Sequence, residues 1–225
     1  MNAIPVITID GPSASGKGTV AARVAQRLGF HYLDSGALYR VVAFAARGQG
    51  VAWDDEKGLT GVARDLAVEF QGSRVMLDGQ DVTDEIRTEL MSQGASQVAP
   101  FPRVRARLLA RQQAFARPPG LVAEGRDMGS VVFPDADLKI YLTASVEARA
   151  ERRHKQLIDK GIPVNIHGLL LDLRERDARD ASRAAAPLVQ SPDAQLLDTT
   201  AISVEAAVEA VLRWFRERSG QRRSS

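Results

Sequence analysis

Val6-Ile-Thr-Ile-Asp10-Gly11-Pro12-Ser13-Ala14-Ser15-Gly16-Lys17-Gly18-Thr19 decides how this chain folds. Five residues, mostly apolar, end at a glycine, as expected of a buried parallel strand. Beyond the loop, Val20, Val24 and Leu28 recur every four residues with Ala21 and Ala25 beside them, and Gly29 follows. That is a helix with one buried stripe and a C-terminal stop. Strand, glycine-rich loop and helix carrying G-x-x-x-x-G-K form a phosphate-binding unit. The glycines let backbone N–H groups turn inward, the helix adds its positive end, and Lys17 brings a mobile charge. Gly11 to Thr19 are therefore the candidate nucleotide-phosphate ligands, with Lys17 also a candidate catalytic residue. Gly18 stands where the general motif has Ser or Thr, and the hydroxyl follows one residue later on Thr19. Thr19 is thus a candidate for Mg2+, through water.

Outward from that unit, strand and helix patterns alternate. Phe30–Asp34, Leu121–Ala123, Lys139–Thr143 and Gln195–Asp198 read as further strands. Helices are expected at 37–47, 102–115, 145–160 and 168–184. Another starts at Ser203, with Val208, Val211, Leu212 and Phe215 inside. Between them the period changes to two: Leu66, Val68 and Phe70 alternate, Gln71-Gly72-Ser73 can turn, and Asp78-Gly79 is a hairpin signal. The expected fold is α/β, a three-layer α/β/α with a central parallel sheet. It carries a small antiparallel insert and a short polar lid. The expected boundaries are a core at 1–36, 118–148 and 166–218, an insert at about 37–117, a lid at about 149–165 and a disordered tail at 219–225, all in a single functional domain.

The composition is that of a globular protein: 225 residues, 44% hydrophobic and 26% charged. A chain this long buries roughly 70% of its unfolded surface. It has no Cys, which excludes disulfides and thiolate chemistry. Its three His residues are far apart, so neither a zinc site nor a nucleophilic triad is supported. Thirty basic residues nearly balance 28 acidic ones, for a net charge of +2, which does not suggest a nucleic-acid partner. The N-terminus lacks the basic and apolar regions of a signal peptide, and no apolar run approaches the ~18 residues of a membrane span. A cytoplasmic protein without a membrane partner, expected to be a monomer, is the reading.

Two segments follow strands, where active sites of open α/β sheets gather. Asp34-Ser35-Gly36-Ala-Leu-Tyr-Arg40 follows the second strand, and Glu124-Gly-Arg126-Asp127-Met-Gly129 the third. Arg176, Asp180 and Arg183 lie at i, i+4 and i+7, on one face of a helix. Arg suits phosphate because its planar fork binds two oxygens at once. Beside a phosphate loop these arginines point to a phosphorylated small molecule. Arg103, Arg107 and Arg111 also share a helix face, and there a solvated surface is expected.

Taken together, DSGALYR at 34–40, ASQVA at 95–99, FPRVR at 101–105 and GRDMG at 125–129 resemble the bacterial cytidylate kinase family. Glu85-Ile-Arg87, Val131-Val-Phe-Pro-Asp135, Glu175-Arg-Asp177 and Ala186-Pro-Leu188 extend the likeness over most of the chain. The resemblance implies transfer of the γ-phosphoryl group of ATP, with Mg2+, to CMP or dCMP. It implies that Ser35, Arg40, Arg126, Arg176 and Arg183 hold the acceptor's phosphate or ribose, with Asp34 nearby. Asp180 would pair with the ribose hydroxyls, and Ser96, Arg105 and Asp127 would read cytosine. Arg126, Arg183 and Arg153 would act in catalysis, Arg153 from a lid that includes Arg149–Arg153. No direct metal ligand follows from it; Asp34 joins Thr19 as a candidate through water.

A carboxylate only accepts hydrogen bonds, so an acidic residue at the base favours the N4 amino group of cytosine over the O4 of uracil. Two other readings stay open at this point. One is a kinase of the same fold for another small acceptor such as UMP, shikimate or gluconate. The other is a nucleotide-dependent switch, which the GKGT ending and the lack of an N-K-x-D segment disfavour.

Overall fold

A computed structural model of the chain describes residues 4–71, 74–159, 161–183 and 185–223. In chain order it contains β1 (Val6–Asp10), α1 (Lys17–Leu28), β2 (His31–Asp34), α2 (Ser35–Gly48), α3 (Glu56–Asp65), β3 (Val68–Gln71), β4 (Arg74–Leu77) and β5 (Gln80–Asp81). There follow α4 (Glu89–Val98), α5 (Pro102–Gln113), β6 (Leu121–Gly125), β7 (Leu138–Thr143), α6 (Val146–Ile158), α7 (Ile166–Ser182), β8 (Gln195–Asp198) and α8 (Val204–Arg223). The chain divides into two compact units, Met1–Leu33 with Phe115–Ser225, and Asp34–Ala114.

The first unit is built on a five-stranded sheet in the order β2-β6-β1-β7-β8. β1 runs parallel to both β6 and β7, and β7 parallel to β8. Burial on both sides explains why β1 and β6 read as nearly unbroken apolar runs. Ile7, Ile9, Val122, Ile140 and Leu142 pack with Val20 and Val24 of α1 and Val208, Val211 and Leu212 of α8 in one core. Each such side chain, fully buried, contributes about 1.5–3 kcal/mol. Phe30 meets Phe215 edge-on, with ring centroids 5.8 Å apart. At the surface Arg27 pairs with Glu205 and Glu209 across the same two helices.

The second unit is mostly helical, which the alternating pattern at 65–83 does not convey. Its three-stranded antiparallel sheet, β3-β4-β5, is there, with Asp78 and Gly79 both at positive φ in the β4–β5 turn. Gly72 and Ser73, the other expected turn, lie outside the described residues. The sheet is accompanied by α2, α3, α4, α5 and a 3-10 turn at Glu85–Arg87. Neither α3 nor α4 is expected from the sequence. Inside α4, Gly94 makes room for Trp53: a Cβ there would stand 2.7 Å from the indole. Trp53 in turn donates to the carbonyl of Ala43 on α2 at 2.9 Å. Packing rather than local propensity stabilises this helix.

Two boundaries differ from expectation, those of α7 and α8. α7 ends at Ser182, so Arg183 is its C-cap in extended backbone rather than a helical residue. α6 runs from Val146 to Ile158, inside the helix expected at 145–160, so residues 149–158 of the expected lid are helical; Lys160 lies outside the described residues. α8 continues to Arg223, past the start of the expected tail at 219; Ser224 and Ser225 lie outside the described residues. Among the described residues no helix is long and apolar enough to cross a membrane.

Candidate active site

The phosphate loop leaves β1 at Asp10 and enters α1 at Lys17. Gly11 has to be glycine for lack of space, since a Cβ would stand 2.0 Å from the carbonyl oxygen of Leu142. Ala14 and Gly16 adopt left-handed backbone, φ 57° and 91°, separated by Ser15. Such alternation curls successive N–H groups into an anion-binding hollow. Ser15 Oγ is buried without a hydrogen-bond partner among the described residues, as expected of a group awaiting a ligand. Lys17 Nζ donates to the Pro12 carbonyl at 3.3 Å and stands 3.7 Å from Glu124 Oε2.

Glu124 also explains the departure at Gly18. It lies one residue before the end of β6, with a buried carboxylate that accepts from Tyr32 Oη at 3.3 Å. A Cβ on residue 18 would meet Glu124 Oε1 at 3.0 Å. The usual Ser or Thr would crowd a carboxylate already placed there, and the hydroxyl moves on to the exposed Thr19. Glu124 has no role legible in the sequence alone, because only the parallel register sets β6 beside β1.

The next turn carries Arg126 and Asp127. Asp10 pins it: one carboxylate oxygen accepts from Met128 N–H and the other from Gly129 N–H, both at 2.8 Å. Burial pushes the Asp10 carboxyl up to about 7, against the pull of those two N–H groups. Asp127 is 4% exposed, and its carbonyl accepts from Val131 and Val132.

Arg126 spans two features. It donates to Ser13 Oγ of the phosphate loop at 2.8 Å and through Nε to Asp180 Oδ2 at 2.7 Å. The other oxygen of Asp180 accepts from Arg183. Asp180 is fully buried. Burial alone would raise its carboxyl, but the charges of Arg126, Arg183 and Arg176 outweigh that and hold it below the usual range. Three arginines expected from sequence thus converge on one carboxylate. An anion arriving there would meet guanidinium groups already oriented and largely desolvated.

α6 behaves unlike a polar appendage. Arg149 is 4% exposed; it donates to the carbonyls of Ser13 at 3.1 Å and Ala144 at 3.0 Å and forks onto both oxygens of Asp177. Arg152 donates to the Ser15 carbonyl at 3.2 Å. Arg153, expected to be catalytic, bonds Gln156 on its own helix at 2.8 Å.

In the second unit, Asp34 caps α2 by accepting from Ala37 N–H at 3.0 Å and pairs with Arg40 at 2.6 Å. One oxygen is engaged by capping and the other by ion pairing, and each keeps a further lone pair. Ser35 is buried at the first turn of α2. Ser96 on α4 is buried and its Oγ has no partner among the described residues. Arg105 lies over the Tyr39 ring, 6.0 Å from its centroid, and donates to the Ala99 carbonyl at 3.3 Å. Arg103 and Arg107 are exposed on α5, as expected. Among the described residues no cluster of three or more His, Asp or Glu could by itself hold a metal.

Comparison with known proteins gives a consistent result. The family model described as cytidylate kinase matches residues 7–217. The cytidylate kinase of Chromobacterium violaceum is 60% identical over 215 residues, 96% of this chain and 97% of that protein. That of Paraburkholderia phymatum is 60% identical over 212 residues, 94% and 93% of the two chains. Among solved structures, a gluconokinase from Sinorhizobium meliloti aligns over 100% of this chain and 99% of its own, with a TM-score of 0.52 and 15% identity. At that identity the likeness speaks for the fold alone.

Proposed function

The chain belongs to the cytidylate kinase family, and from that premise we propose that it transfers the γ-phosphoryl group of ATP to CMP or dCMP. An acceptor phosphate oxygen attacks the γ-phosphorus, the bond to the β–γ bridging oxygen breaks, and ADP leaves with that electron pair. CDP or dCDP is the other product. The acceptor phosphate is already ionised near neutral pH, so no general base is required, and catalysis is positioning plus charge stabilisation. The same reading has the enzyme acting as a monomer in the cytoplasm, on nucleotides of pyrimidine metabolism.

One observation carries the assignment of the chemistry: Arg126 reaches from phosphate-loop Ser13 to the Asp180–Arg183 pair. A donor loop and a set of anion-ready arginines are thus joined by one side chain. In this reading the loop from Gly11 to Thr19 takes the ATP phosphates. Lys17 exchanges Glu124 and the Pro12 carbonyl for the β- and γ-phosphates. Arg126 and Arg183 stabilise charge on the group in transfer, and Arg153 contributes from α6. Arg176 and Arg183, with Ser35 and Arg40 of the second unit, take the acceptor's phosphate and ribose. Asp180 orients the arginines and offers its remaining lone pairs to the ribose. Asp127, Ser96 and Arg105 read cytosine; Ser96 Oγ, buried and without a partner among the described residues, supports a polar ligand for α4.

Mg2+ is proposed as the companion of ATP. Thr19 and Asp34 are the candidate oxygen donors for it, through water, and hard oxygen ligands are what this ion takes. When bound, it supplies neutralisation of triphosphate charge.

The alternative acceptors, UMP, shikimate or gluconate, are not favoured by relatives 60% identical that are named cytidylate kinases. A coupled assay of ADP release over CMP, dCMP, UMP, AMP and shikimate tests the proposal. Turnover with CMP and dCMP well above the rest is expected. Equal or faster turnover with any of the other three would overturn it.

A further inference from the structure

The backbone of the phosphate loop has carbonyls as well as N–H groups, and the fate of the carbonyls decides where the N–H groups point. In a trans peptide the C=O of one residue and the N–H of the next point in opposite directions. Fixing the Ser13 carbonyl therefore aims the Ala14 N–H the other way, and fixing the Ser15 carbonyl does the same for the Gly16 N–H.

Two arginines one helical turn apart on α6 hold these two carbonyls. Arg149 Nη1 donates to Ser13 O at 3.1 Å. Arg152 Nη1 donates to Ser15 O at 3.2 Å, and Thr199 Oγ1, just beyond β8, stands at the same distance from that oxygen. The residues following the held carbonyls are Ala14 and Gly16, the two in left-handed backbone. An alanine at φ 57° is disfavoured by sterics, so the conformation needs outside support.

Each arginine is itself anchored. Arg149 is 4% exposed and forks onto Asp177 of α7, the residue next to Arg176. Arg152 bonds the hydroxyl of Thr199 at 3.1 Å and its carbonyl as well, and that hydroxyl also lies 3.0 Å from the Thr143 carbonyl at the end of β7. The loop is thus tied from behind to α6, α7 and the ends of β7 and β8.

We infer that Arg149 and Arg152, with Asp177 and Thr199, are positioning residues that turn the Ala14 and Gly16 N–H groups toward the donor phosphates. They act through the loop backbone and touch no reacting atom. This gives the arginines at the start of the expected lid a task distinct from closing over substrate. It rests on the assignment of the loop as the ATP site.

Arg149 is too buried for a clean first test, so the variants are Arg152→Met, Arg152→Lys and Thr199→Val. MgADP and CMP binding are measured separately by calorimetry, and amide shifts of Ala14 and Gly16 by NMR, with melting temperature as the control for folding. Thr199→Val should weaken MgADP by about fivefold, the worth of one neutral hydrogen bond. Arg152→Met should weaken it by roughly tenfold or more, and Arg152→Lys should recover part of that because an ammonium can still donate to Ser15 O. CMP affinity should stay within about twofold, and the free-protein shifts of Ala14 and Gly16 should move in each weakened variant. Unchanged MgADP affinity with a lowered kcat would overturn the inference, giving Arg152 a direct part in transfer. Equal losses of CMP and MgADP affinity would overturn it too, as a general structural effect. Wild-type protein that failed to bind MgADP would refute the assignment of the loop itself and the inference with it.

Discussion

Replacing Asp180 by Asn tests the arrangement of arginines most directly. The carboxylate is fully buried, and it holds Arg126 at 2.7 Å and Arg183, whose side chains are only 16% and 7% exposed. Asn keeps the volume and one acceptor, so the packing survives while the charge is lost. At an effective dielectric of about 20, each opposite charge near 4 Å is worth about 4 kcal/mol before desolvation is counted. Removing one partner of a buried ion pair typically costs about 3–5 kcal/mol, because the other is left uncompensated. The lower end, about 3 kcal/mol, is expected here, since Asn still accepts one hydrogen bond. For a chain of this size that lowers the melting temperature by about 6–12 °C. Because the Asp180 carboxyl is held below its usual range, its contribution is present above the unfolded-state value and fades as the pH falls through the folded one. The gap between wild type and variant should therefore be full at pH 7 and narrow toward pH 3. The assay is urea denaturation at both pH values, with and without inorganic phosphate. Phosphate should stabilise the variant more than the wild type, because the freed guanidinium groups take the anion. A loss under about 1 kcal/mol at pH 7 would refute the buried-pair reasoning. An equal effect of phosphate on both proteins would refute the anion site.

Lys17→Ala should leave the melting temperature nearly unchanged and lower kcat by at least about a hundredfold, since Lys17 acts where charge develops; near-normal turnover at saturating ATP would contradict that role. Asp127→Asn should shrink the preference for CMP over UMP, expected at roughly a hundredfold or more in kcat/KM, chiefly by loss of CMP activity. An unchanged ratio would pass the reading of the base to Ser96 and Arg105. Asp10 has its folded carboxyl pushed up to about 7 by burial, so the stability it contributes is complete below the unfolded value of 3.8 and is lost as pH rises through 7. Asp10→Asn should remove a downward slope of at most about 1.4 kcal/mol per pH unit between pH 4 and 7; curves of equal slope for both proteins would assign the pH dependence to other groups.

The strand, loop and helix from Val6 to Leu28 were legible because they are set by local rules: apolar runs of period one, a helical stripe of period four, and a loop whose glycines match a known geometry. The hairpin at Asp78-Gly79 was legible for the same reason, since left-handed φ at two adjacent residues is written in residue type. The segment after β6 could be placed near the phosphate loop because parallel strands deliver their C-terminal ends to one edge. α4 was not legible: it carries Gly94 and polar residues and no clear apolar period, and the helix packs against Trp53, forty-one residues earlier in the chain. Glu124 had no visible role until the register set β6 against β1. Arg149 and Arg152 sit in a run of charges that the family resemblance assigns to a lid, yet one is buried and both hold loop carbonyls, 136 and 137 residues away. Arg126 meets Ser13 across 113 residues and Asp180 across 54. Sequence periodicity reports which face of an element is apolar, whereas the pairing of a buried charge depends on which other element lies against that face. That is decided by how the sheet orders its strands, and only the folded chain contains it.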